Sequence, residues 1–327
     1  MTVGTIIART STSLGTMGYP TKSRRVLVCD KISSRGNQIL SSSGLEVDYQ
    51  PQISATDLRN KIGGYDALIV RGSTKVDRNL LDRATRLRVI GRVGVGLDNI
   101  DLDAASAKRI TVLNTPTALT NAVAEHAIAL MLTLAKKLCL ADHLMKGGAW
   151  PKRKLIGIEL RGKTLGLVGV GRIGQKLAKL ARAFDMRILG YDIVAIDAKL
   201  LQELDITMLS LENLLQQSDF VSIHVPLTDG TRHLLDAKKL RMMKRTAFLV
   251  NTSRGAVIDE DSLYEALKNR VIAGAGLDVF EQEPPKTRRL LSLSNVVCSP
   301  HIAGQTSEAQ EDAAVEIAQL VARAFAE

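Results

Sequence analysis

Aromatic side chains are nearly missing from this chain: five Phe, five Tyr and one Trp among 327 residues. Proteins that grip single-stranded nucleic acid stack bases on exposed rings. The basic residues here are scattered among acids, so the net charge of +10 predicts no nucleic-acid partner. It fits a solubilising surface with a few anion-binding arginines. Cysteine is as scarce: Cys29, Cys139 and Cys298 form an odd set without paired spacing, which excludes a disulfide framework and a cysteine metal site. No metal is expected. Cys29 ("RVLVCD") and Cys298 ("NVVCSP") lie in apolar runs and read as buried free thiols, as in a reducing compartment. No apolar run approaches the ~20 residues that span a bilayer, so no membrane partner is expected. Acids are absent before Asp30, and residues 1–22 are rich in Ser, Thr and Gly. That segment reads as a disordered extension or an organellar targeting sequence. The location implied is cytoplasmic, with organellar targeting as the alternative.

What is present is an alternation of strand and helix. "RVLVCD", "ALIVRG", "LRVIGRVG" and "RITVLNTP" are short apolar runs divided by helical segments such as "ATDLRNKI". Runs of this kind argue for parallel strands buried on both faces. Residues 121–145 are apolar around most of a helical circumference, the mark of a helix buried in a core or a subunit interface; His126 within it reads as a packed structural histidine. A second alternating unit follows, with strands predicted at 164–170, 187–191, 220–225, 247–251, 274–279 and 295–298. A last amphipathic helix spans roughly 306–325. The fold class predicted is α/β: a Rossmann-type, doubly wound parallel-sheet domain inserted into a smaller flavodoxin-like α/β substrate domain. The boundaries predicted are 23–115 plus 302–327 for the smaller domain and 116–301 for the inserted domain.

The strongest physical signal is "LGLVGVGRIGQKLAKLARAF", in which Gly169, Gly171, Arg172, Ile173 and Gly174 form a G-x-G-x-x-G turn between a strand and a helix. Ile173, Leu177, Leu180 and Phe184 share one face of that helix. The first glycine permits the turn, the second lets a pyrophosphate approach the backbone, and the third lets the helix pack on its strand. Free N–H groups at the helix start suit the phosphates. Asp192 closes the next strand, eighteen residues past Gly174, where an acid accepts bonds from the adenosine ribose hydroxyls. Ile193 and Val194 follow, with no arginine to receive a 2′-phosphate, so the cofactor predicted is NAD.

Hydride transfer to a ketone also needs a cation for the substrate carboxylate, a proton donor for the carbonyl oxygen, and a group that tunes the donor. Arg254 ("NTSRG"), Asp278 and Glu283 ("LDVFEQEPP") and His301 ("SPHIAG") lie around the ends of successive predicted strands. Ligands of open α/β sheets bind at such strand ends. Of five histidines, His301 is the one in this position. His224 reads as structural, and His143 and His233 as surface residues.

Taken in order, "GVGRIG", "HVPLT", "NTSRG", "LDVFEQEPP" and "SPHIAG" resemble the D-isomer-specific 2-hydroxyacid dehydrogenase family from about Arg24 onward. The resemblance implies that Arg254 binds the substrate carboxylate and that Glu283 sets the acid–base histidine, His301. It implies cofactor contacts at Val225, Pro226, Thr231 and Thr252, and at Asp278 to the nicotinamide carboxamide. It also implies a homodimer through the cofactor domain. "RGSTKV" and "GRVGVGLDNID" resemble the phosphoglycerate dehydrogenase branch, which implies that Arg71, Ser73, Arg92, Val93 and Gly94 help hold a phosphorylated substrate. Oxidation of 3-phosphoglycerate, the entry to serine synthesis, is the reaction implied. A glyoxylate or hydroxypyruvate reductase and an NAD-responsive, corepressor-like binding protein are the alternatives. With one helix after His301, no serine-binding regulatory domain is expected.

Overall fold

The computed structural model describes residues 23–326; the expectation for residues 1–22 lies outside them. The chain falls into two compact units, one ending at Leu119 and resumed from Thr306, the other comprising Thr120–Gln305.

The first unit runs β1 (Arg25–Val28), α1 (Ser34–Ser42), β2 (Glu46–Tyr49), α2 (Ala55–Lys61), β3 (Ala67–Val70), α3 (Arg78–Arg83), β4 (Val89–Arg92), α4 (Leu102–Ala107) and β5 (Thr111–Asn114). The strands pair in parallel in the order β2-β1-β3-β4-β5, the flavodoxin-like arrangement. Each of α1 to α4 begins behind a Ser or Asp whose side chain accepts from the helix's free N–H groups. β3 is buried along its whole length, as a central parallel strand must be. β2 (Glu-Val-Asp-Tyr) is an edge strand with no buried residue, so it carries no apolar run for sequence reading to find.

The second unit opens with α5 (Thr120–Lys136) and α6 (Leu138–Lys146). These replace the single helix expected over 121–145: Lys137 takes a left-handed φ of 54° and breaks it. Then come β6 (Thr164–Val168), α7 (Arg172–Arg182), β7 (Arg187–Tyr191), α8 (Ala198–Leu204), β8 (Ile206–Met208), α9 (Leu211–Gln217), β9 (Phe220–Ile223), α10 (Ala237–Leu240), β10 (Phe248–Asn251), α11 (Glu260–Lys268), β11 (Gly274–Leu277) and β12 (Val296–Cys298). All pairs are parallel, in the order β12-β11-β10-β9-β6-β7-β8. This is the Rossmann order, with its reversal between β6 and β9. Apolar cores lie on both faces of this sheet. Leu177, Ala178 and Ala181 bury the inner face of α7, but Phe184 falls beyond the helix and is exposed. Cys298, at the end of edge strand β12, is also exposed, while Cys29, directly after β1, is buried.

The closing helix α12 (Ser307–Ala326) returns to the first unit, where Ala313, Ala314, Ile317, Ala318 and Val321 join the core beside β1, β3 and β4. No helix among the described residues is long and apolar enough to cross a membrane.

Candidate active site and cofactor cradle

β6 delivers the glycine turn to the carboxyl edge of the sheet, beside the strand-order reversal. Gly169 has φ of +101°, and a Cβ there would lie 2.8 Å from the His224 carbonyl oxygen. A Cβ on Gly174 would lie 2.3 Å from the Gly169 oxygen, so only hydrogen fits at either position. Around Gly171 the space is open, and α7 starts there without a side-chain cap. Its first N–H groups are left for an anion. Arg172 is exposed at the first turn and Ile173 is half-buried.

Asp192 lies at the end of β7, with Oδ2 accepting from Val170 N–H at 2.8 Å and Oδ1 from Val194 N–H at 3.0 Å. Each oxygen keeps acceptor capacity for a hydroxyl. The loop after β9 is knitted by Thr231, whose hydroxyl donates to the Pro226 carbonyl at 2.6 Å and accepts from Thr228 N–H at 2.8 Å. Val225 is half-buried and Pro226 exposed on the same loop. Two buried polar atoms at these strand ends, His224 Nε2 after β9 and Thr252 Oγ1 after β10, have no partner among the described residues. Open space at Gly171, an uncapped helix start and orphaned polar atoms at the strand ends fit a dinucleotide. Burial pushes the His224 imidazole down to about 4, so it is neutral near pH 7.

The pair expected to do the acid–base chemistry, Glu283 and His301, lies after β11 and β12. Glu283 Oε2 meets His301 Nδ1 at 2.7 Å, and Glu283 Oε1 accepts from Phe280 N–H at 3.2 Å. Burial alone would raise the Glu283 carboxyl. The hydrogen bond and charge of His301, the Phe280 N–H and the positive charge of Arg254 outweigh it, so Glu283 titrates below the usual glutamate value. Arg254 follows β10, with Nη1 donating to the Ser253 carbonyl at 2.6 Å and its own carbonyl accepting from Asn251 Nδ2. Because an ionised Glu283 only accepts, the proton of the neutral histidine sits on Nδ1 and Nε2 keeps the lone pair.

Asp278 has no solvent exposure, and its carboxylate is engaged within the protein. Oδ1 accepts from Ser299 Oγ at 2.6 Å and Ile302 N–H at 2.9 Å; Oδ2 accepts from Ala303 N–H at 2.8 Å. Its carbonyl accepts from His301 N–H at 2.8 Å. Three of these bonds to the carboxylate and one to the main-chain carbonyl wrap the segment 299–303 around Asp278. They offset the ~1–2 kcal/mol cost of the left-handed backbone at His301, φ 54°. The residue expected at the nicotinamide thus anchors the loop that presents His301.

Sequence reasoning missed two partners of this site. His126 reaches Ser299 Oγ at 2.9 Å, and His233 pairs with Glu281 at 2.7 Å, Nε2 to Oε1. Neither pairing has a short-range signature, because each partner arrives from a distant segment.

In the first unit, Arg92 folds back so that Nη1 donates to the Val93 carbonyl at 3.0 Å. It lies across Gly94, where a Cβ would come within 1.5 Å of that nitrogen. Its Nη2 is also near Gly72, next to Arg71: a Cβ on Gly72 would be 3.8 Å away. Asp30 holds the Arg71 turn, accepting from Arg71 N–H and from the Ser73 hydroxyl, both at 2.5 Å. Asn99 Nδ2 donates to the Arg71 and Thr74 carbonyls. Burial lowers the Arg71 guanidinium, partly offset by Asp30. The other three residues expected to touch substrate are engaged in the protein. Ser73 gives its proton to Asp30, Val93 is a core residue, and Gly94 exchanges both backbone bonds with Thr115.

The family described as "D-isomer specific 2-hydroxyacid dehydrogenase, NAD binding domain" matches residues 128–303. A D-3-phosphoglycerate dehydrogenase of Methanocaldococcus jannaschii is 43% identical over 91% of this chain and 56% of its own length, so this chain spans a little over half of that relative. A hydroxypyruvate reductase of Thermotoga maritima is also 43% identical, over 91% of this chain and 97% of its own. Among solved structures, the D-lactate dehydrogenase of Aquifex aeolicus complexed with NAD and lactic acid superposes with a TM-score of 0.80. It is 31% identical, covering 93% of this chain and 95% of that one. With the glycine turn, the Rossmann strand order and the His301–Glu283 pair in place, this chain belongs to the D-isomer specific 2-hydroxyacid dehydrogenase family, and its second unit is that family's NAD-binding domain.

Proposed function

We propose that this protein catalyses NAD-dependent oxidation of D-3-phosphoglycerate to 3-phosphohydroxypyruvate, and the reverse reduction. The observation that carries the chemistry is the 2.7 Å contact between His301 Nδ1 and Glu283 Oε2 beside the positive charge of Arg254. NAD, when bound, supplies the hydride acceptor. Gly171, the first N–H groups of α7 and Arg172 take its pyrophosphate, Asp192 its adenosine ribose. In the oxidation, neutral His301 takes the substrate hydroxyl proton at Nε2. Glu283 stabilises the imidazolium that results. Arg254 pairs with the substrate carboxylate, a planar match that orients C2. In the reduction, the imidazolium returns that proton to the carbonyl oxygen.

Phosphate recognition is assigned to Arg71 and Arg92. Asp30 and Asn99 hold the Arg71 main chain, Arg71 Nη1 donates to the Lys31 carbonyl at 3.3 Å and Arg92 Nη1 to the Val93 carbonyl at 3.0 Å; an arginine fork meets phosphate oxygens bidentately. Similarity to relatives named phosphoglycerate dehydrogenase supports this assignment. Similarity along 97% of a relative named hydroxypyruvate reductase favours the second reading, an unphosphorylated hydroxy-acid substrate. The two separate in kcat/KM with NADH for 3-phosphohydroxypyruvate and hydroxypyruvate, in wild type and Arg92→Ala. Preference for the phosphorylated substrate that collapses in the variant supports the first. Equal use of both, unaffected by the substitution, supports the second.

We further propose a homodimer through the second unit. α6 buries none of its residues, and Leu138, Leu140, Met145, Trp150 and Ile156 are exposed along it and the following loop. So much apolar surface on one segment marks an interface.

A further inference from the structure

The loop that carries His301 is held from a second direction. Asp278 gathers Ser299, Ile302 and Ala303 onto its carboxylate, and the donors there have fixed senses. The two N–H groups can only donate, so both oxygens accept. Ser299 Oγ, at 2.6 Å from Oδ1, therefore places its single proton on Asp278. That hydroxyl has no proton left for His126, 2.9 Å away, so His126 Nε2 must be the donor. The chain runs His126 Nε2–H to Ser299 Oγ–H to Asp278 Oδ1, with His126 Nε2 also 3.5 Å from that oxygen.

His126 belongs to α5, whose Ala124, Ala127, Leu130, Met131 and Leu134 are buried in the core. The donation therefore ties the loop after β12 to a packed helix. Without it the Ser299 hydroxyl is free to rotate away from Asp278. One bond fewer then holds the backbone on the N-terminal side of His301, where the left-handed residue needs most support. Misplacing a reacting group by about 1 Å costs of the order of 10²-fold in rate.

We propose that His126 is a positioning residue for the acid–base histidine, acting through Ser299 and Asp278 to fix the loop 299–303. This rests on the assignment of His301 above.

The test compares His126→Leu, His126→Gln, Ser299→Ala and the His126→Leu/Ser299→Ala double variant, with His301→Ala as reference. Each is assayed with NADH and whichever of hydroxypyruvate and 3-phosphohydroxypyruvate the wild type reduces faster. Loss of one neutral hydrogen bond predicts a kcat lower by roughly 3- to 10-fold in His126→Leu, and Ser299→Ala, which also loses the bond to the Asp278 carboxylate, falls at least as far. NADH affinity by calorimetry stays within about twofold of wild type, since His126 is assigned no cofactor contact. Glutamine restores a donor, so His126→Gln recovers most of kcat. The double variant is no worse than Ser299→Ala, because both changes break one chain. Wild-type kcat in His126→Leu, equal losses in the leucine and glutamine variants, or additive losses in the double variant would each overturn the proposal. If His126→Leu does not fold, Ser299→Ala decides alone: wild-type kcat in it overturns the proposal, and a fall with NADH affinity kept supports it. Should His301→Ala keep full turnover, the assignment of His301 fails; should it lose turnover while the other variants do not, only the role of His126 fails.

Discussion

Glu283 and His301 leave successive strands, β11 and β12, and meet at 2.7 Å through Oε2 and Nδ1. That contact fixes which ring nitrogen is available for chemistry, and it is a hydrogen bond to a charged group. Glu283→Gln is expected to lower kcat by roughly 10- to 150-fold, the equivalent of about 1.5–3 kcal/mol. Steady-state rates at saturating NADH check this; a variant as fast as wild type would remove Glu283 from the mechanism.

Asp192 is proposed to hold the adenosine ribose, and both its oxygens also hold backbone N–H groups of the surrounding turns. Asp192→Ala is expected to weaken NADH binding and to narrow the gap between NADH and NADPH. Calorimetric titration with each nucleotide measures both. Unchanged NADH affinity would contradict the ribose role.

His224 links the cofactor turn to acid stability. Its imidazole is lowered by burial from 6.5 to about 4, so the unfolded chain takes up a proton that the folded chain refuses. The stabilisation is complete above about pH 6.5 and is lost as pH falls toward 4. It amounts to roughly 3 kcal/mol. Urea denaturation at stepped pH should show this slope in wild type and a shallower one in His224→Gln. Parallel slopes would refute it.

The exposed apolar segment from α6 to Ile156 predicts a dimer. Light scattering should give twice the chain mass, and Ile156→Glu should shift it toward one. A monomeric wild type would contradict the dimer.

Much of the cofactor cradle is legible in the sequence because its determinants are local. Gly169, Gly171 and Gly174 are needed by a single turn, and Asp192 follows at a distance set by one helix and one strand. The parallel strands of both units announce themselves as apolar runs, whereas β2 and β8 do not: β2 is Glu-Val-Asp-Tyr with no buried residue, and β8 is only three residues long. The residues that frame the chemistry are not local. Asp30 meets Ser73 across forty-three positions and His126 meets Ser299 across 173, and no periodicity encodes such pairings. Lys137 is instructive in another way: a left-handed residue inside an unbroken apolar pattern divides one expected helix into α5 and α6.

The most direct measurement is turnover by His301→Ala beside wild type at saturating NADH, with NADH affinity measured on the same samples. Removing a general acid–base group predicts a fall in kcat of roughly 10²–10⁴-fold, with NADH bound as tightly as before. Near-normal kcat in that variant would contradict the assignment of His301 and, with it, the proposed chemistry of the site.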